Sequence, residues 1–205
     1  MQSVKLFPKV IGVFTNPDIS YHKKIVEKCY HIKKNVSNGG ENWLSKVYNV
    51  SGKLNLYTDK DFKPLLKWID DKLLEYGANL NIDFKPVNKN AWFQIYGKND
   101  YQDYHSHPTS RLSAIYYLKG KDGSSPTIFT DFNFNMNYFS LITPTEDNSR
   151  EWSIPFQEGV LLIFRSEMPH CVPQNNNNER ISIAVNYNWS RSIIDISLYY
   201  LFKLR

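Results

Sequence analysis

The chain has 205 residues, 41% apolar and 22% charged, with a formal net charge of +5 at pH 7. That length suits one well-buried domain, and the composition is that of an ordinary soluble globular protein. No run of about 18 apolar residues exists, which excludes a membrane-spanning helix. The two cysteines, Cys29 and Cys171, exclude a disulfide framework, and the N-terminus lacks a basic region followed by an apolar core. A cytoplasmic protein is therefore expected. The mild positive charge keeps the chain soluble and leaves an anionic substrate or nucleic acid open. With 14 Tyr, 12 Phe and 5 Trp, the composition favours strands and a ring-lined pocket.

In chain order, Val4–Phe14 reads as a first strand. Asn16-Pro17-Asp18 has the chemistry of a helix start, with Asn as cap and Pro at the first helical position. Ile19, His22, Ile25, Val26, Cys29 and Ile32 then recur at helical spacing, to about Asn35. Neither His22 nor His31 has a close His or Cys partner, so neither is expected to ligate a metal. Asn38-Gly39-Gly40 breaks the chain, and Trp43–Tyr57 is irregular or short-stranded. Thr58–Asp61 offers caps for a second helix. On that helix Phe62, Leu65, Leu66, Ile69, Leu73 and Tyr76 form one apolar stripe, and Gly77 is its expected stop.

Strands dominate from there on: Leu80–Val87, Ala91–Tyr96, Arg111–Leu118, Thr127–Phe132, Gly159–Phe164 and Arg180–Tyr187. A Gly-Ser turn falls at Gly120–Ser125. The polar stretch Asp131–Phe156 alternates Phe132, Phe134, Met136 and Tyr138, and is the expected lid. Asn175–Asn178 is a polar loop. Many closely spaced strands after two helices point to an antiparallel sandwich or barrel with the helices on one outer face.

Side-chain alternation locates a pocket. In the last strand Ile181, Ile183, Val185 and Tyr187 share the face suited to lie under the amphipathic helix. Arg180, Ser182, Ala184 and Asn186 share the other. A buried guanidinium, hydroxyl and amide need partners, and a bound carboxylate would pair with Arg180 bidentately, with Ser182 adding a third hydrogen bond. Trp92, Gln94 and Tyr96 separate from Ala91, Phe93 and Ile95 in the same way. So do Ser113, Ile115 and Tyr117 from Leu112, Ala114, Tyr116 and Leu118.

Three of the five histidines fall in two short stretches, Tyr104-His105-Ser106-His107-Pro108 and Pro169-His170-Cys171-Val172. Residues two apart in an extended segment project to one side, so His105 and His107 can reach one ion. His170 follows after enough chain for the intervening strands to fold back. Neutral imidazoles suit iron, zinc, copper and nickel.

With these pieces in place, the chain resembles the 2-oxoglutarate- and Fe(II)-dependent oxygenases. Among them it is similar to a small family found in bacteria, bacteriophages and marine viruses that carries a His-x-His-Pro motif. The matching pieces are Lys5-Leu6-Phe7-Pro8, Trp92, His105-Ser106-His107-Pro108, Ser113–Leu118, Gly159–Phe164, and Pro169–Pro173 running on to Arg180–Ile183 and Asn186. The resemblance implies a mainly β (α+β) fold: a double-stranded β-helix, or cupin-like jelly-roll, with N-terminal helices on the outer face of one sheet. One domain would span 1–205, with supporting elements in 1–88, the barrel in 89–189, the lid in 131–156 and a C-terminal arm in 190–205.

The resemblance also implies Fe(II) as metal, 2-oxoglutarate as co-substrate, and hydroxylation of an unactivated C–H bond with release of succinate and CO2. Iron would be held by His105, His107 and His170. The superfamily usually has an acid where His107 stands, so Asp131 and Asp103 are the alternative ligands. Arg180 would pair with the distal carboxylate, assisted by Ser182 and Tyr117, with Tyr96 at the keto-acid end and Asn186 in the same pocket. The substrate is open: a small molecule, a peptide or protein side chain, or nucleic acid. The apolar run Ile193–Phe202 either packs on its own chain or makes a homodimer; no membrane contact is expected. Two rivals remain: a three-His cupin-like metalloenzyme that does not use 2-oxoglutarate, which would leave Arg180 without a purpose, and a non-catalytic jelly-roll binding module.

Overall fold

The computed structural model describes residues 9–40, 47–81, 86–132, 149–177 and 179–189. The strands are β1 (Gly12–Thr15), β2 (Tyr48–Asn49), β3 (Pro86–Tyr96), β4 (Gln102–His105), β5 (Leu112–Lys119), β6 (Thr127–Thr130), β7 (Glu151–Ile154), β8 (Val160–Arg165), β9 (His170–Val172) and β10 (Arg180–Trp189). The helices are α1 (His22–Asn35) and α2 (Lys63–Asn79). A six-stranded sheet runs β1-β8-β5-β10-β3-β2 and a four-stranded sheet runs β4-β9-β6-β7, with antiparallel pairing throughout. From β3 onward the chain passes back and forth between the sheets, winding four strands of each into a double-stranded β-helix. β1 and β2 extend the edges of the larger sheet. This is the jelly-roll expected.

The outer face of the larger sheet is covered by the helices. Leu65, Leu66, Ile69, Leu73 and Tyr76 of α2 and Ile25, Cys29 and Ile32 of α1 join Ile181, Ile183, Val185 and Tyr187 of β10 in one core. Burying each large apolar side chain contributes about 1.5–3 kcal/mol, so this helix layer keeps the sheet in place behind the pocket. Asp70 of α2 adds a polar clamp. Its Oδ1 accepts from the hydroxyls of Tyr57 (2.5 Å) and Tyr187 (3.1 Å), and its Oδ2 meets Lys89 Nζ at 2.6 Å. Among the described residues no helix is long and apolar enough to cross a membrane.

Local expectations are corrected in several places. α1 begins at His22, not at Asn16-Pro17. The Asn16 side chain accepts from the Asp18 N–H in a tight turn, while its Nδ2 donates to the hydroxyls of Tyr21 and Tyr116, so it is not available as a helix cap. α2 runs through Gly77 to Asn79 and ends where Asn81 takes a left-handed conformation (φ 55°), which Asn tolerates. Of the two strands expected at Leu80–Val87 and Ala91–Tyr96, Leu80 and Asn81 end α2, 82–85 lie outside the described residues, and Pro86–Tyr96 is the single strand β3, paired with β10. Of the lid segment 131–156, Glu151–Ile154 forms strand β7, and 133–148 lie outside the described residues. So do the start of the first strand with Lys5-Leu6-Phe7-Pro8, and the arm 190–205.

Candidate metal and co-substrate centre

The inner face of β10 forms a ladder with β3: Arg180 opposite Tyr96, Ser182 opposite Gln94, Ala184 opposite Trp92, Asn186 opposite Asn90. Its other neighbour, β5, sets Tyr117 beside Ser182 and Ser113 beside Asn186. The face that alternation picked out is therefore the barrel interior.

The histidines come from the smaller sheet. His105 ends β4 and His170 begins β9, and the two are direct cross-strand partners. Between Gln102 and His105 the strand carries one more residue than β9 does opposite it, a register shift that turns both Gln102 and His105 inward and leaves Asp103 and Tyr104 outside. His107 lies just past the strand. Its N–H donates to the Ser166 carbonyl (2.8 Å), and its ring stands edge-on to Trp92 with centroids 5.9 Å apart.

The three rings form a triangle, with centroids 5.1 Å apart for His105–His107, 4.2 Å for His105–His170 and 5.3 Å for His107–His170. Their candidate ligand nitrogens all lie within 4.8 Å of one another. The Nδ1 of His105 contacts the Asp103 carbonyl at 2.8 Å, and that of His170 the Met168 carbonyl at 3.0 Å. Each such bond commits Nδ1 as donor and leaves Nε2 with the lone pair, as metal-binding imidazoles require. Burial lowers the pKa of all three. His107 falls to about 4, with the His105 ring adding to the effect of burial, and His170 falls well below its ordinary value. The imidazoles are thus neutral near pH 7, the form that ligates.

The alternative carboxylates are elsewhere. Among the described residues neither Asp131 nor Asp103 joins the imidazole cluster. Asp131 pairs with Lys9 at 2.8 Å, and Asp103 is exposed on the outside of the shifted segment of β4.

Arg180 begins β10 on the inner face and is fully buried. Its Nε donates to the Ser125 carbonyl (2.9 Å) and Nη1 to Ser182 Oγ (3.3 Å), while Nη2 has no hydrogen-bond partner among the described residues. The guanidinium lies 4.6, 5.2 and 5.5 Å from the ring centres of Tyr96, Phe156 and Tyr117. A buried cation with an unpartnered donor and aromatic walls is costly unless an anion completes it, so these residues fit a carboxylate ligand.

Tyr96 donates to Gln102 Oε1 (2.8 Å) and is within 3.1 Å of Gln94 Oε1; Tyr117 donates to Thr127 Oγ1 (2.7 Å). Burial pushes the Tyr96 hydroxyl up to about 12 and raises that of Tyr117, so both stay protonated. Asn186 lies at the opposite end of β10, about 20 Å from Arg180 at the usual strand rise. There its Oδ1 accepts from Ser113, which also bonds Ser166 (2.7 and 2.8 Å).

Sequence reasoning missed several members of this site. The inward turn of Gln102 depends on the register shift, which alternation conceals. Ser125, Phe156 and Asn175 lie in loops with no periodicity to follow. Thr127 opens β6, and nothing marked its hydroxyl as the partner of Tyr117.

A jelly-roll that gathers three neutral imidazoles, two on the smaller sheet and His107 just past it, and buries an arginine in its interior offers a candidate metal and anion site. Residues 90–186, from within β3 to within β10, match the family described as "Putative 2OG-Fe(II) oxygenase".

Solved structures share the fold. A prolyl-4-hydroxylase from Pseudomonas putida superposes with a TM-score of 0.62 at 14% identity, over 89% of this chain and 94% of that one. A prolyl hydroxylase from Trichoplax adhaerens, solved with a hypoxia inducible factor peptide fragment, gives 0.62 at 14% identity, covering 86% and 82%. HygX from Streptomyces hygroscopicus, solved with nickel and 2-oxoglutarate, gives 0.60 at 10% identity, covering 89% and 84%. At these identities the likeness is one of fold. No curated protein matches the chain.

Proposed function

We propose that this 2-oxoglutarate- and Fe(II)-dependent oxygenase hydroxylates an unactivated C–H bond, releasing succinate and CO2, with iron on His105, His107 and His170 and the co-substrate's distal carboxylate on Arg180. The observation that carries the reading is the buried Arg180 guanidinium with its unpartnered Nη2 on the barrel's inner face, together with a triangle of neutral imidazoles gathered in the same barrel. A three-His cupin that ignores 2-oxoglutarate would leave that charge uncompensated.

The iron would supply oxygen activation coupled to decarboxylation of the 2-oxo acid. The protein's own groups bind and orient. Arg180 and Ser182 fix one end of the dicarboxylate, and the Tyr96 and Tyr117 rings flank the guanidinium at that same end rather than at the keto-acid end expected for Tyr96. Phe156 and the two Tyr rings keep water from the charge pair, which strengthens it. His107 takes the position where the superfamily usually has a carboxylate, giving an all-imidazole ligand set.

The substrate is proposed to be a peptide or protein side chain or a small molecule. The fold likeness to two prolyl hydroxylases supports the former. The buried free thiols Cys29 and Cys171 suit a reducing, cytoplasmic setting. Ile193–Phe202 is the candidate surface for a homodimer, on composition alone; a chain ending at Trp189 should then sediment as a monomer where the full chain is a dimer.

The test of the function is anaerobic calorimetry of Fe(II)-loaded protein with 2-oxoglutarate, followed by succinate measurement on admitting air. Binding and succinate formation are expected. Loss of both would leave a cupin-like enzyme or a binding module.

A further inference from the structure

The run Asn175–Asn178 reads as a solvated loop, yet Asn175 is fully buried. All its polar groups are bonded. Its N–H donates to the Asp100 carbonyl (2.8 Å) and its carbonyl accepts from the Asn99 N–H (2.7 Å). Its Oδ1 accepts from the Ser125 N–H (3.3 Å), and its Nδ2 donates to the Gly97 (3.1 Å) and Asn177 (2.7 Å) carbonyls. One side chain thus ties together the β3–β4 turn, the β5–β6 loop and the β9–β10 loop, which meet at the Arg180 end of the barrel.

The Ser125 peptide is the link to the site. Its N–H donates to Asn175 Oδ1, its Oγ donates to the Gln174 carbonyl (2.9 Å), and its own carbonyl accepts from Arg180 Nε. The guanidinium's bond to Ser182 is longer. The plane of the fork, and so the direction of the unpartnered Nη2, depends on where the Ser125 carbonyl sits.

We propose that Asn175 is a positioning residue for co-substrate capture. It holds the Ser125 peptide, and through it presets Arg180 to receive the distal carboxylate of 2-oxoglutarate. The proposal rests on the reading of Arg180 given above. Asn175 does not itself touch the ligand. Its contribution is to remove the reorganisation the guanidinium would otherwise undergo, and to seal the barrel end against water, so that the carboxylate–guanidinium pair forms in a low-dielectric setting.

The test compares two ligands on Fe(II)-loaded protein by anaerobic calorimetry: 2-oxoglutarate and 2-oxopentanoate, which has the same carbon chain and keto acid but no distal carboxylate. Wild-type protein should prefer 2-oxoglutarate strongly. Asn175→Ala should cut that preference by about tenfold, the size of one weakened charge-assisted hydrogen bond, while affinity for 2-oxopentanoate and for iron stays within about twofold. A structural role alone would weaken both ligands together and leave the ratio unchanged, and that result overturns the proposal. If Asn175→Ala does not fold, the same ratio is read on Asn175→Ser. A wild-type protein with no preference between the two acids would instead remove the Arg180 reading itself.

Discussion

His105 and His170 face each other directly across the β4–β9 pairing, their ring centres 4.2 Å apart, although 65 residues separate them in the chain. The pairing rigidly fixes two of the three imidazoles on strands. His107 is held from the larger sheet side, by Ser166 and Trp92. A metal bound here would bridge the two sheets.

Replacing His105, His107 or His170 with Ala should therefore weaken iron binding at least about tenfold. Loss of a mere outer-shell partner already costs about 10–100-fold in comparable sites. Asp131→Ala and Asp103→Ala should bind iron as wild type does. Anaerobic metal titration reads all five variants, and normal binding by His107→Ala with loss in either Asp variant would reassign the third ligand.

Arg180→Ala should leave iron binding intact and raise the dissociation constant for 2-oxoglutarate roughly ten- to a hundredfold, since a hydrogen bond to a charged group contributes about 1.5–3 kcal/mol. Arg180→Lys should recover only part of this, because an ammonium lacks the planar fork. Full recovery in calorimetry would mean that charge alone, without geometry, holds the ligand.

Stability should fall with acid through His22. This residue is buried, its Nε2 meets the Tyr116 hydroxyl at 2.7 Å, and its pKa lies below the ordinary 6.5, chiefly through burial. As pH drops, the unfolded chain takes up the proton first. The stability contribution is therefore complete above pH 6.5 and is lost as pH falls below it towards the folded pKa. Melting temperatures from about pH 7.5 to about pH 5.5 should decline, and decline less steeply in His22→Gln. Parallel slopes would show that His22 is not responsible.

Asp70→Ala removes the acceptor of two tyrosine hydroxyls and the partner of Lys89 beneath α2. Urea denaturation should show a loss on the order of 2 kcal/mol or more, because partly buried donors are left unsatisfied. A change under about 0.5 kcal/mol, typical of exposed sites, would mean that the apolar stripe alone anchors the helix.

The sequence made the barrel legible where period-2 alternation was clean. Arg180 through Tyr187 sorted into an inner and an outer face that the register with β3 and β5 reproduces. The apolar stripe of α2 was equally readable. What resisted were positions where side chains override local pattern. Asn16 looks like a helix cap, but the buried hydroxyls of Tyr21 and Tyr116 engage it. Asn175 looks solvated, but three loops converge on it. β7 was hidden because Glu151–Ile154 is mostly exposed and carries little periodic signal. The histidines were found because their chemistry is rare, and Gln102 was missed because glutamine's is not.

The extra residue in β4 has a consequence for how this site tolerates change. Gln102 and His105 both point inward only because three chain steps on β4 match two on β9. Asp103 and Tyr104 are the slack in that arrangement, and the Asp103 group that reaches His105 Nδ1 is a backbone carbonyl, which any residue supplies. Exchanging either side chain should be tolerated, and removing one of the two would leave two steps facing two, so that Gln102 and His105 share the inner face in a regular ladder. The two positions act as a spacer that is open to substitution and to the loss of one residue.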